Sequence, residues 1–477
     1  MSDWKKQLRE VVGARHVLED PASLLAYESD ALTLFRCRPA AVVLPADAEE
    51  VQAVVRVLHA AKLPFTARGA GTGLSGGALV PEGGVILCLT RMQRIHELDP
   101  EQRRAQAEPG VINLDLSRKA AEFGLRYAPD PASQTVSTLG GNLAENAGGP
   151  MCFLHGTTTN HVLAADVVLP DGSRETWSAL PEDAQDLDLR GFLCGSEGTL
   201  GVVVGLTLKL IPMPEQVVTF LAAYADVPQA CAAVAGIVQR GLRPVALEVM
   251  DQRAIEAVEN SVYRAGLPRE AGAVLLAEME GSAALMEIAV PQLEEALLAF
   301  QPSRLDRAET EAQRIAIWKG RKGAGGAMGQ LAPDSYVMDG VVPRSKLAEI
   351  MAFVEEVEEE VGLPVANLFH AGDGNIHPHF SYDARDASQC EAVEDAGARI
   401  LRKCLELGGS LSGEHGIGLE KQHLLREQYG ADEIALMERL RRVFNPEDLL
   451  NAGKGLPQPR GCAEAFHRHR HPGDAHA

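Results

Sequence analysis

ARGAGTGLSGGA, residues 67–78, runs on into LVPEGGVILCLTRM, residues 79–92, and the join between the two decides how this chain is read. Gly71, Gly73 and Gly76 spell GxGxxG, the spacing of a dinucleotide-binding turn. That turn works only between a strand and a helix, because the helix N-terminus helps to hold the phosphates. A strand is expected before Arg68. Beyond Ala78 come Pro81, two glycines and a β-like apolar run, so no helix is expected there. The remaining device is a glycine-rich loop whose consecutive backbone N–H groups form an anion nest, with Arg68 adding charge at its start. Five glycines in twelve residues imply close backbone approach to something, which a simple turn between strands would not need.

Two more small-residue clusters come later in the chain: PDPASQTVSTLGGNLAENAGGP at 129–150 and GSEGTLGVVVGLTLKL at 195–210. Both mix glycine with hydroxyls and amides, and the second runs into a β-type strand. Any one cluster alone is weak evidence. Three in this order are expected to line a long groove for an extended cofactor.

The C-terminal half carries different chemistry. FHAGDGNIHPHF spans 369–380 and SGEHGIG spans 412–418, offering His370, His377, His379, Glu414 and His415 to one site. A lone histidine is more often a core or surface residue than a ligand. Here Gly372, Gly374, Gly413, Gly416 and Gly418 punctuate the two segments, each expected to follow a strand, and a site is the better reading. Two imidazoles and a carboxylate make an open metal site. Structural zinc instead prefers four closed ligands, usually rich in cysteine. Neighbours on a strand face opposite ways, so Glu414 and His415 need a turn at Gly413 or Gly416 to serve one centre.

The whole chain limits the rest. Its 477 residues allow two or three domains. A hydrophobic content of 46% and a charged content of 23% are ordinary for a globular protein. The net charge of −21 argues against broad nucleic-acid binding. The N-terminal stretch is charged and helix-like without an apolar signal segment, and no apolar run approaches a membrane span. The eight cysteines are scattered without CxxC spacing, which suits a reduced cytoplasmic setting and excludes an iron–sulfur cluster of the usual kind. The stretches at 231–242 and 347–363 have helical apolar spacing. The tail after Pro457, with His467, His469, His471 and His476, is expected to be solvated.

RGAGTGLSGGA, PDPAS…TLGGNLAENAGG, GSEGTLGVV, WKGRKGA, FHAGDGNIHP, SGEHGIG and FNPEDLLNAGKG, in that order, resemble the FAD-linked oxidase family with a vanillyl-alcohol-oxidase-type flavin domain. The branch resembled is that of D-lactate and D-2-hydroxyglutarate dehydrogenases and the FAD-binding subunit of glycolate oxidase. The SYVMDGVVPR segment, the CAE near Cys462 and the His-rich tail are most similar to the glycolate subunit. The resemblance implies an α+β fold. A two-part FAD-binding (PCMH-type) domain would cover about 36–214, after an N-terminal helical segment 1–35. A cap with an antiparallel sheet would cover 215–455, its end returning to the flavin, and 456–477 would be a tail.

Carried over by position, the cofactor contacts are Arg68, Gly69, Ala70, Gly71, Thr72, Gly73, Leu74, Ser75, Gly76 and Gly77. They continue with Pro131, Ser133, Thr138, Gly141, Asn142 and Gly148, then Glu197, Gly198, Gly201 and Val202, and finally Asn451. Some relatives attach FAD through a histidine in the first loop. None stands between Arg68 and Ala78, so a non-covalent flavin is expected. The resemblance places a divalent metal (zinc, manganese or iron) on His370, His377 and Glu414. It makes His415 the base, Arg321 the holder of the substrate carboxylate and His379 a substrate contact. Two departures stand out: His155 begins HGTT where the family has tyrosine, and Ala452 replaces the proline of NPGK.

The substrate class so implied is a small 2-hydroxy acid oxidised to the 2-oxo acid. Hydroxyglutarate relatives carry a lysine where Val337 stands here, so glycolate is favoured, then D-lactate. Electrons would leave through a second FAD subunit and an iron–sulfur subunit, at the membrane only through those partners. The alternatives are a D-lactate dehydrogenase acting alone with a cytochrome or electron-transfer flavoprotein, an aryl-alcohol oxidase, and a non-catalytic flavin relay. The joint presence of the metal-site residues disfavours the last two.

Overall fold

The structure is a computed structural model that describes residues 4–181, 187–457 and 467–468. Most of the His-rich tail, with His469, His471, His476 and also Cys462, lies outside the described residues. The described chain forms two compact units. The first contains 4–148, 157–213 and 414–457; the second contains 149–156 and 214–413.

The first unit holds two main sheets and, among the described residues, two short two-stranded ones. The smaller main sheet runs in the order Val17–Leu18, Ala41–Val43, Val85–Cys88, Phe65–Arg68, and its last two pairings are parallel. Parallel neighbours need a crossover. Helix Ala48–Ala60 carries the chain from Ala41–Val43 to Phe65–Arg68, leaving room for Val85–Cys88 between them, and is started by Asp47, whose side chain accepts from the Glu50 N–H. Val51, Val54, Val55 and Leu58 form its buried stripe against Val43, Phe65 and Leu87. The larger sheet is antiparallel, with five strands in the order Arg174–Ser178, Val162–Val168, Val202–Lys209, Arg104–Ala107, Ile95–Asp99. Its inner residues, including Val167, Trp177, Leu206 and Leu208, make a second core.

The glycine-rich loop therefore joins strand Phe65–Arg68 to strand Val85–Cys88 with no helix between them, as its sequence implies. The second cluster behaves differently. It contains helix Leu139–Glu145, whose glycines and asparagine hide it from a propensity reading. Thr138 caps it, and buried Leu139 and Leu143 hold it against the sheet core.

The second unit is built on one large antiparallel sheet. Its main path runs Arg304–Arg307, Gln216–Tyr224, Ala273–Gly281, Ala246–Asp251, Val365–His370, Asn375–Ile376, Gly340–Val341. Pro378–Tyr382 branches from Val365–His370 and pairs with Asp334–Val337. The two central strands Ala246–Asp251 and Ala273–Gly281 are buried almost throughout, with Glu248, Glu278 and Glu280 set among their apolar residues. Helices Val227–Gln239 and Leu347–Val361 appear where the spacing puts them. Helix Glu311–Ala327, opened by a Thr310–Gln313 capping box, packs Ile317, Trp318 and Ala324 into the core.

Candidate functional site

The first unit contains an open cavity of about 1300 Å³ counted out to solvent. Its wall is assembled from the three small-residue segments and the C-terminal return. Arg68, Gly69, Ala70, Gly71, Thr72, Gly73, Leu74, Gly77, Pro131, Ser133, Thr138, Gly141, Asn142, Glu197, Gly198 and Asn451 all line it, as do Glu414 and His415. Ser75, Gly76, Gly148, Gly201 and Val202 do not. Ser75 instead gives its carbonyl to the N–H groups of Leu419 and Glu420, and a Cβ on Gly76 would touch Leu419. Gly201 fits under Val167, and Val202 opens its strand.

The close approach implied by the glycines is partly approach to the protein itself. A Cβ on Gly69 would lie 2.2 Å from Thr138 Oγ1, so glycine there lets the first loop abut the second. Arg68 turns its guanidinium toward the N-terminal segment. Its Nη1 donates to Ser29 O at 2.9 Å, and the guanidinium stacks on Tyr27. Several buried polar atoms of the wall find no hydrogen-bond partner among the described residues: Asn142 Nδ2, Ser137 Oγ and Asn451 Oδ1. Orphaned donors and acceptors around an elongated cavity suit a large, polar, phosphate-bearing cofactor such as FAD.

Charge and strain concentrate here. Glu197 and Asn451 hold φ angles of 53° and 52°, a left-handed conformation uncommon for glutamate. Asn451 donates to the Glu197 carbonyl. The Glu197 carboxylate accepts from Ile417 N at 2.6 Å and Gly418 N at 2.8 Å, pinning the segment just after His415. Lys454 is fully buried and donates to Gly77 O at 2.8 Å and to Leu79 O. Burial pushes its ammonium down to about 7 against the pull of Asp30, Glu197 and Glu145. Burial likewise raises Asp30 to about 7. Glu145 is raised by burial, then by Glu197 and Asp30 beside it. None of Glu145, Asp30 and Lys454 figured in the sequence reading.

The second unit contains the histidine segment. His370 ends strand Val365–His370 and His379 sits within Pro378–Tyr382, while His377 falls between the short strand Asn375–Ile376 and Pro378. All three are buried. The rings of His370 and His377 lie 5.1 Å apart and nearly perpendicular. His370 Nδ1 meets the Glu248 carboxylate at 2.8 and 2.9 Å. His377 Nδ1 meets Met338 O at 2.9 Å. A carboxylate and a carbonyl only accept, so both Nδ1 atoms carry a proton, and in a neutral ring Nε2 then holds the lone pair. That is the tautomer a metal-ligating histidine needs. Burial alone would raise Glu248, but the opposing His370 and Arg321 outweigh it and hold the carboxyl below its ordinary value.

Arg321 is 4% exposed and pairs with Glu248 at 2.5 Å. Its Nε has no hydrogen-bond partner among the described residues. Trp318, one turn earlier, donates Nε1 to buried Glu278 at 2.6 Å. The WKGRKGA helix is thus held to the sheet by two internal carboxylates. His155, which stands where the family has tyrosine, meets Glu280 Oε1 at 2.7 Å.

Asp339 organises the approach to Glu414. Its fully buried carboxylate accepts from Asn375 Nδ2 at 2.8 Å, Ser412 Oγ at 2.5 Å and Gly413 N at 3.1 Å. The next residue along the chain from Gly413 is Glu414. The strand expected ahead of SGEHGIG is reduced to a single bridge, Ser410 to Val341. The turn falls at Gly416, with φ of +84°. A Cβ there would meet Glu145 Oε2 at 2.3 Å.

The sequence matches the family described as FAD binding domain over residues 39–178, and FAD linked oxidases, C-terminal domain, over 213–455. The glycolate oxidase subunit GlcD of Escherichia coli (strain K12) is 41% identical over 466 residues, 98% of this chain and 93% of that one. A D-lactate dehydrogenase of Anaerostipes hadrus is 35% identical over 430 residues, 88% of this chain and 90% of its own length. In fold, 4-ethylphenol oxidase from Gulosibacter chungangensis aligns with a TM-score of 0.78 at 18% identity, covering 96% of this chain and 97% of that one. With both domain matches in order and relatives of such identity along nearly its full length, this chain belongs to the FAD-linked oxidase family.

Proposed function

We propose that this protein is an FAD-dependent, metal-assisted dehydrogenase that oxidises a small 2-hydroxy acid, glycolate first, to the 2-oxo acid. The observation that carries the reading is the pair of buried histidines whose Nδ1 atoms are both committed, in a chain that also owns a flavin-domain cavity. His370, His377 and Glu414 would hold the ion, and the cavity residues of the first unit would hold FAD without a covalent bond. When bound, FAD supplies a hydride acceptor and the ion supplies Lewis acidity toward the 2-hydroxyl.

The chain's own side chains do the rest. The uncommitted Nε–H of Arg321 receives the substrate carboxylate beside the Glu248 pair. The proton on the substrate hydroxyl oxygen passes to the His415 imidazole, whose ordinary pKa lies near neutrality. Val337 lies opposite His379 in the strand pair and offers no charge to a distal carboxylate, which favours a monocarboxylate. Electrons then leave to a protein or quinone acceptor. The relatives named as subunits support an assembly, here proposed to include a second flavin subunit and an iron–sulfur subunit. No helix among the described residues is long and apolar enough to cross a membrane.

The test is anaerobic mixing with glycolate, D-lactate and D-2-hydroxyglutarate while the flavin absorbance is followed. Glycolate should bleach the flavin fastest, a chelator should abolish bleaching, and zinc or manganese should restore it. A flavin that none of these acids reduces, or bleaching untouched by thorough chelation, overturns the assignment. Acid precipitation should release all the yellow colour from the protein.

A further inference from the structure

We infer that Glu248 is a positioning residue that holds His370 in the one tautomer able to ligate and ties it to Arg321, so that the metal-binding ring and the carboxylate-binding guanidinium are set by a single side chain. The inference rests on the metal reading proposed above.

Glu248 lies directly opposite His370 in the antiparallel pair of Ala246–Asp251 with Val365–His370. Side chains so placed stand about 5 Å apart at Cβ, close enough for a fixed contact. Both carboxylate oxygens approach His370 Nδ1, and Oε2 is also ion-paired with Arg321 Nη2 at 2.5 Å. The carboxylate is 1% exposed, and its strand neighbours Ala246, Leu247, Val249 and Met250 are all buried and apolar. An aliphatic residue would serve packing at that position with no desolvation cost. Anchoring of helix Glu311–Ala327 does not require Glu248 either. Glu278, on the adjoining strand, already binds Trp318 and Arg314 of that helix. What distinguishes Glu248 from Glu278 is its histidine. A carboxylate behind a ligating imidazole fixes ring orientation and tautomer, and its removal costs metal affinity about 10–100-fold.

The experiment measures zinc affinity by competition with a chromophoric chelator, on the purified flavoprotein after metal removal. The variants are H370A, E248Q, E248D and E278Q. H370A should lose zinc binding. E248Q should weaken it about 10–100-fold, because an amide offers one acceptor where the carboxylate offers two. E278Q should lower thermal stability yet keep zinc affinity within about twofold of the parent, since its carboxyl touches no histidine. Should E248Q fail to fold, E248D carries the test, its shortened carboxylate being unable to span both partners; weaker zinc binding is again expected. If H370A binds zinc like the parent, the metal reading itself fails and the inference with it. If H370A loses zinc while folded E248Q or E248D stays within twofold of the parent, the role given to Glu248 is wrong and the metal reading stands.

Discussion

Replacing Asp339 by asparagine should release the segment that delivers Glu414 and His415, and the size of the effect can be worked from three of its hydrogen bonds. The buried carboxylate accepts from Asn375, Ser412 and Gly413 at 2.8, 2.5 and 3.1 Å. An asparagine side chain of the same shape has one acceptor oxygen and turns an NH₂ toward at least one of these donors. Hydrogen bonds to a charged group contribute about 1.5–3 kcal/mol each, so losing one or two costs about 3 kcal/mol. If that cost is borne by the loop alone, its open form gains a factor of about 150 in population. Two assays read it. Hydrogen exchange of a peptide covering 408–418 should accelerate by about two orders of magnitude, while peptides from Ala273–Gly281 stay protected. Glycolate-driven flavin reduction should slow in step with the loop's opening, with flavin content unchanged. A D339N protein that keeps parental exchange in 408–418 and a parental reduction rate would refute the reasoning, because the carboxylate would then not be what holds the loop.

Other outcomes rest on the same kind of buried group. D30N should change how stability depends on pH: the Asp30 carboxyl is raised from 3.8 to about 7, so its contribution is full below pH 3.8 and is lost as pH rises toward about 7. Denaturant titrations of the apoprotein should show up to about 4 kcal/mol of that decline removed in D30N. K454M removes the ammonium that the carbonyls of Gly77 and Leu79 share, leaving Leu79 O only the Thr66 hydroxyl, and should raise the FAD dissociation constant about tenfold, measured by fluorescence titration. W318F removes the Nε1 donor of buried Glu278 and should destabilise the protein by about 2 kcal/mol in urea, with little change in glycolate KM. V337K puts a cation opposite His379 and should raise kcat/KM for D-2-hydroxyglutarate relative to glycolate about tenfold; an unchanged ratio would remove Val337 from the specificity argument.

The first glycine loop was legible in sequence because its decisive feature is local. Pro81 and the apolar run after Gly84 rule out a helix there, and the strand Val85–Cys88 forms instead. The helices at Val227–Gln239 and Leu347–Val361 were legible for the same reason, since apolar period is a short-range signal. The histidines announced themselves by clustering. Their supports did not. Glu248 lies 122 residues before His370, and its only local sign is a carboxylate inside the apolar run 245–250. Lys454 lies 377 residues from the carbonyl of Gly77 that it holds. Helix Leu139–Glu145 was hidden by poor helix formers and exists because Thr138 caps it and its leucines find a core. Arg321 was read as a substrate clamp from its motif, and nothing local could reveal that its Nη2 is already ion-paired with Glu248.

These supports share a physical character that bears on what the second unit was selected to do. Glu248, Asp251 and Glu278 are carboxylates within sheet strands and Asp339 lies between two of them; Glu248 and Asp251 fix residues of the neighbouring strand Val365–His370, while Glu278 and Asp339 fix the helix of Trp318 and the segment at Gly413. Asp251 caps the helix beginning at Gln252 and also binds Asn367; burial raises its carboxyl to about 6 although both sets of hydrogen bonds pull it down. Buried ion pairs contribute little net stability, and well-packed apolar residues of similar volume often do as well or better. A stability argument alone would therefore predict leucine or methionine at several of these places. Fixed geometry is what carboxylates supply and aliphatic residues do not: defined acceptor positions for an imidazole, an indole, a guanidinium and a backbone N–H. Two of the four, Glu248 and Asp339, act on the histidine and Glu414 segments, and the same logic places the tolerance for desolvation where chemical precision is needed.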